Sequence, residues 1–203
     1  MFQSPRSVFA ALRDDSREEA EARQEPVLAL ILLSGIAAIL SLNTTDTLLD
    51  YPTDGRLPLD AVLLPVIIFV QGALYGAVVY WLGAGAAHLG LRGAGAEGGY
   101  RLTRHLLAFA AAPLALGLLI LLPLRLAAYG EDAFRTGGGD AAGIDRWFFT
   151  GLELVFALWA AGLLVYGIKV VYGWSIPRVL GSLALGALAL VCIALVALIL
   201  SAG

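Results

Sequence analysis

The chain has 203 residues, 60% of them hydrophobic and only 14% charged, and a mean hydropathy of +0.84. Soluble domains hold roughly 45–50% apolar and about 25% charged residues, so a water-soluble fold is excluded for want of polar groups to cover it. A net charge of −3 without any basic, aromatic-interleaved patch excludes a nucleic-acid partner, and the single cysteine, Cys192, excludes a disulfide framework or cysteine-rich metal site.

The expected fold is all-α: a polytopic membrane protein built as a bundle of five transmembrane helices, with a short amphipathic helix at the N-terminus. Residues 1–25 form the cytosolic N-terminal segment and residues 26–203 the transmembrane domain. Ser4 followed by Pro5 is a helix-start signal, because serine caps and proline fits the first helical position. Val8, Phe9 and Leu12 then share one face at helical spacing, which makes them a candidate cytosolic surface. Two readings of that face stand: a helix lying on the cytosolic leaflet, or a stripe packed against the ends of the spans. The acidic run that follows (Asp14, Asp15, Glu18, Glu19, Glu21, Glu25) is expected to be solvated. It also separates the N-terminus from the first apolar run, unlike a cleavable signal sequence, so the first span is expected to be retained.

A helix needs about 20 apolar residues to cross the hydrocarbon, where backbone groups cannot be left unpaired. Five stretches meet or approach that, at about 26–42, 61–89, 106–124, 147–171 and 176–202. The first is the shortest. Trp147, Tyr172 and Trp174 flank the fourth at both ends, where amphipathic rings favour the headgroup level. Pro65 and Pro113 are expected to kink or loosen their helices. With the N-terminus inside, nine basic residues face the cytosol (Arg6, Arg13, Arg17, Arg23, Arg92, Arg101, Arg104, Lys169, Arg178) and four face outward (Arg56, Arg125, Arg135, Arg146). The positive-inside rule then places the N-terminus in the cytosol and the C-terminus outside the cell membrane. Eight acidic residues of the outer loops read as a solvated surface.

Small residues mark helix contacts. Gly72 and Gly76 form a G-x-x-x-G in the second span, and Ser182 and Gly186 a similar pair in the fifth, with Ala157 and Ala161 in the fourth. In lipid, close backbone approach at such residues supplies the packing; contact within one chain is favoured over contact between copies. Glu153 lies about 9 Å into the fourth span from Trp147 at 1.5 Å per residue. A carboxylate at that depth requires a partner, a proton or water. Arg125 and Arg146 are the available cations and Gln71 is the other strongly polar group in a span, so Glu153, Gln71 and Arg125 define a candidate polar cavity. The competing reading, a structural ion pair, is favoured.

Other patterns are discounted. His88 and His105 are too few for a zinc site, which wants at least three protein ligands. The G-x-G-x-x-G at 93–98 joins two membrane helices and lacks the strand that a dinucleotide fingerprint requires. The E-E-x-x-x-R at 18–23 matches intramembrane CAAX-type proteases but precedes the first span. Asn43-Thr-Thr45 is a glycosylation pattern too close to the membrane for modification. No catalytic centre, metal or cofactor is assigned.

The order of features resembles the Yip family (Ypt-interacting-protein domain). Four segments carry the likeness: Pro5-Arg-Ser-Val-Phe9-Ala-Ala-Leu12; a span ending near His88 with Gly98-Gly99-Tyr100 after it; Leu107-Ala-Phe109-Ala-Ala-Ala-Pro113 with Pro123 beyond; and Trp159 through Tyr166-Gly167-Ile-Lys169-Val-Val-Tyr172-Gly-Trp-Ser175-Ile-Pro-Arg178. The resemblance implies a multi-spanning, non-enzymatic protein that organises membrane or binds other proteins. Eukaryotic members are associated with Rab-type GTPases through cytosolic segments preceding the spans. That segment is short here, and the Ala/Leu/Gly/Arg-rich composition points to a bacterial-type member. Expected partners are membrane lipids, other membrane proteins or a second copy. The alternative is a small transporter or channel using Glu153 and Gln71.

Overall fold

A computed structural model describes residues 4–13, 17–42, 63–130 and 144–201. Every regular element among them is helical. In chain order they are α1 (Pro5–Ala11), α2 (Arg17–Ala22), α3 (Gln24–Leu42), α4 (Leu63–Val78), α5 (Ala84–Gly93), α6 (Tyr100–Ala110), α7 (Ala112–Tyr129), α8 (Ile144–Tyr172) and α9 (Ile176–Ser201), with a π-helical turn at Val79–Gly83 joining α4 to α5. The long loops, with seven of the eight acidic residues expected on the outer face, lie outside the described residues; the eighth, Asp145, is in the first turn of α8.

Local chemistry explains the helix boundaries. Pro5 takes the first position of α1, but the Ser4 side chain makes no capping bond there. The Ser7 hydroxyl instead donates to the Ser4 carbonyl at 2.8 Å, a correction to the expected cap. Pro113 heads α7 and separates it from α6 at Ala111, because proline cannot donate to the preceding turn. Pro65 falls in the first turn of α4, where a missing N–H costs little. At the far end of α8, Gly173 adopts φ +69 and its N–H bonds the Lys169 carbonyl at 2.9 Å, the left-handed stop that glycine favours.

Among the described residues four helices are long and apolar enough to cross a membrane: Val66–Gly93, Tyr100–Tyr129, Trp147–Tyr172 and Ile176–Leu195. By length and composition the expected five are therefore four, with α3, the first of the five, falling short. The first expected span, α3, has 19 residues, Gln24–Leu42, and rises about 28 Å, against roughly 30 Å of hydrocarbon. The third span also begins earlier than expected, at Tyr100, because Arg101, Arg104 and His105 sit on a helix rather than in a loop.

The chain forms two compact units. One comprises Met1–Val27, Val78–Ala110 and Ala161–Gly203. Its core gathers Phe9, Leu12, Leu91, Leu106, Ile168 and Val179, so the N-terminal segment packs with α5, α6, α8 and α9. The other comprises Leu28–Ala77 and Ala111–Ala160. There Leu40, Ile68 and Leu118 pack together, with Leu33, Ile36 and Leu122 against them. Large apolar side chains on α4, α8 and α9, such as Leu74, Leu158 and Leu188, are more than half exposed. A membrane is the solvent that such faces fit.

Candidate functional site

The Glu153 carboxylate is held between two helical turns. On α8, Phe149 precedes it by four residues, and on α7, Tyr129 follows Arg125 by four, so each pair lies on one helix face. Arg125 Nη2 stands 2.8 Å from Glu153 Oε1. The guanidinium carbon is 5.0 Å from the centroid of the Phe149 ring, and Tyr129 meets that ring edge-on at 5.8 Å. The Arg125 side chain is 9% exposed and that of Glu153 20%. A charge-assisted contact in surroundings of low dielectric is strong, and separation would leave an ion without compensation. Gln71 is exposed on α4 and takes no part in the pair. The side chain of Arg146 lies outside the described ones.

The small residues meet within the chain. A Cβ built on Gly35 of α3 would lie 2.7 Å from the Gly76 Cα, one on Gly76 2.5 Å from the Ile31 carbonyl oxygen, and one on Gly72 2.6 Å from the Ile36 Cα. These pairs, with Leu40 near Ile68, run in opposite directions along α3 and α4, so the two helices are antiparallel at backbone contact. A second seam joins α5 to α9: a Cβ on Gly90 would lie 2.6 Å from the Gly186 nitrogen, and one on Gly186 2.9 Å from the Ala86 carbonyl carbon. Ser182 is 1% exposed in that seam, and its hydroxyl donates to the Val179 carbonyl at 2.7 Å. Ala157 and Ala161 are exposed.

The N-terminal helix is docked rather than free. Phe9 is 0% and Leu12 1% exposed, while Val8 is half-buried. Of the two readings of that stripe, the geometry is that of packing against the spans; Phe9 and Leu12 present no open surface. Phe9 lies against Gly167 and meets Tyr166 edge-on at 6.4 Å. Arg13 donates from Nε to the Val171 carbonyl at 3.2 Å and from Nη2 to the Val170 carbonyl. These carbonyls end α8 and have no partner within the helix, so a cation there also meets the negative end of the helix dipole. Arg23 in turn donates to the Ala11 carbonyl at 2.8 Å. Sequence reasoning missed the Arg13 contact: an arginine among other charges gives no sign of an acceptor more than 150 residues away.

His88 Nδ1 lies 3.2 Å from the Thr103 hydroxyl, and His105 is buried on α6. Among the described residues no group of three or more His, Cys, Asp and Glu side chains could hold a metal ion.

Long apolar helices, glycine seams and an ion pair inside the helices define a polytopic α-helical membrane protein. The family model of the Yip1 domain matches residues 1–199, and the chain belongs to that family. No curated protein and no solved structure matches the chain significantly.

Proposed function

We propose that the chain is a non-enzymatic membrane protein of the Yip type, which organises membrane or binds other membrane proteins through its cytosolic face. The observation that supports this most is the state of the polar groups inside the helices. Glu153 is engaged by Arg125, His88 by Thr103 and Ser182 by its own helix. Groups that a transporter or an enzyme would hold ready are committed to structural contacts.

The nine-to-four distribution of basic residues supports a cytosolic N-terminus in the cell membrane. A C-terminus outside requires α3 to cross as well, and its antiparallel seam with α4 supports that. The transporter reading is not favoured: it needs Glu153 and Gln71 in one cavity, whereas Gln71 is exposed and Glu153 has a cationic partner.

Two experiments test the reading. Liposomes holding the purified chain should show no protein-dependent flux of protons or cations. A photo-crosslinker at Glu97, exposed between α5 and α6, should give a discrete protein adduct in native membranes, and one at Leu158 on α8 only lipid adducts. A flux abolished by Glu153→Gln would overturn the proposal.

A further inference from the structure

We propose that Arg104 and the three rings around it bind the phosphate group of an anionic phospholipid. The π-helical turn Val79–Gly83 brings Tyr80 and Trp81 side by side, with ring centroids 5.7 Å apart. Such single turns often mark functional positions in helices. Tyr100, the first residue of α6, donates its hydroxyl to the Trp81 carbonyl and so ties α6 to the turn. One helical turn along α6, the Arg104 guanidinium carbon lies 4.3 Å from the centroid of Trp81, 5.0 Å from Tyr100 and 5.4 Å from Tyr80.

Ring faces attract a cation but do not satisfy its hydrogen bonds. The five N–H groups of a guanidinium lie in its plane and need acceptors. Arg104 Nε is buried and makes no hydrogen bond, and among the described residues no carboxylate pairs with this arginine. The rings therefore fix the position of the charge and leave its terminal N–H groups, not the buried Nε, to another group. Arg92 ends α5, Arg101 and Arg104 open α6, and Glu97 is the one acid of residues 91–104.

Depth selects the ligand. Tyr100, Arg101 and Arg104 lie in the first two turns of the apolar helix Tyr100–Tyr129, ahead of its long apolar run. The rings thus stand at the headgroup level, where tryptophan and tyrosine accumulate and lipid phosphates lie. A guanidinium fork matches two phosphate oxygens; an ammonium does not.

The test uses the full chain in phosphatidylcholine nanodiscs with added phosphatidylglycerol, read by thermal unfolding and by native mass spectrometry of retained lipid. Phosphatidylglycerol should raise the unfolding temperature and remain bound. Arg104→Gln should weaken retention by about tenfold, the scale of one charge-assisted hydrogen bond, and remove most of the thermal gain. Arg104→Lys and Trp81→Leu, which keep the charge but lose the fork or the ring, should each fall between. Arg178→Gln should retain the lipid as the native chain does. Undiminished retention in Arg104→Gln and Trp81→Leu would overturn the proposal. Equal loss in Arg178→Gln would do so too, by showing diffuse charge attraction. An equal thermal gain from inorganic phosphate alone would exclude the lipid as the source.

Discussion

Phe9 is fully buried because residue 167 has no side chain: a Cβ at Gly167 would stand 2.7 Å from the Phe9 ring. Replacing Phe9 by alanine removes a buried ring, a change worth roughly 3–5 kcal/mol in a closed core. Here α1 has only seven residues and can come away, so local release is the expected result rather than global collapse. Phe9→Ala should speed trypsin cleavage after Arg13 by about tenfold or more, since each 1.4 kcal/mol of docking energy is a factor of ten. Gly167→Ala should have the same effect, and an unchanged digestion pattern in both would refute the docked geometry. The apolar stripe was legible in the sequence as periodicity. Its burial was not, because the matching slot is a glycine in an apolar run, with nothing to distinguish it from Gly162.

Among the elements, α3 and α4 are joined by backbone contact at Gly35, Gly72 and Gly76. A methyl group at Gly35 or Gly76 has no flexible side chain to displace, only main chain, and overpacking of that kind costs about 1–3 kcal/mol. Gly35→Ala and Gly76→Ala should each lower the unfolding temperature in detergent. Gly162→Ala and Gly181→Ala, with nothing within 4 Å, should leave it unchanged or slightly raised, since alanine is the better helix former by about 1 kcal/mol. Equal effects at all four positions would argue against the seam. The sequence shows the G-x-x-x-G but not which helix it meets, because small residues occur throughout the spans. The start of α6 was hidden for another reason. Arg101, Arg104 and His105 resemble a polar loop when read singly, yet Arg104 lies against aromatic rings and His105 is buried on a helix.

For the whole molecule, composition alone settled the class and most of the spans, because the need to satisfy every backbone group in lipid leaves a long apolar run few alternatives. The weak point was α3, whose apolar part is short enough that length does not decide whether it crosses. With Cys192 replaced, a single cysteine at Glu25 should be labelled only from the cytosolic side, and one at Gly203 only from outside. Labelling of both from the cytosol would mean four crossings. The central claim, that the polar interior is structural and the chain works through its surfaces, is tested most directly at Arg125 and Glu153. The measurement is reversible unfolding in detergent of Arg125→Met, Glu153→Leu and the double variant. Glu153 is 20% exposed, so each single change should cost about 1–3 kcal/mol, less than the roughly 3–5 of a fully buried pair, and the double variant should return to within about 1 kcal/mol of the native chain. Single variants as stable as the native chain, with no coupling between the sites, would contradict the account and return Glu153 to the candidates for transport.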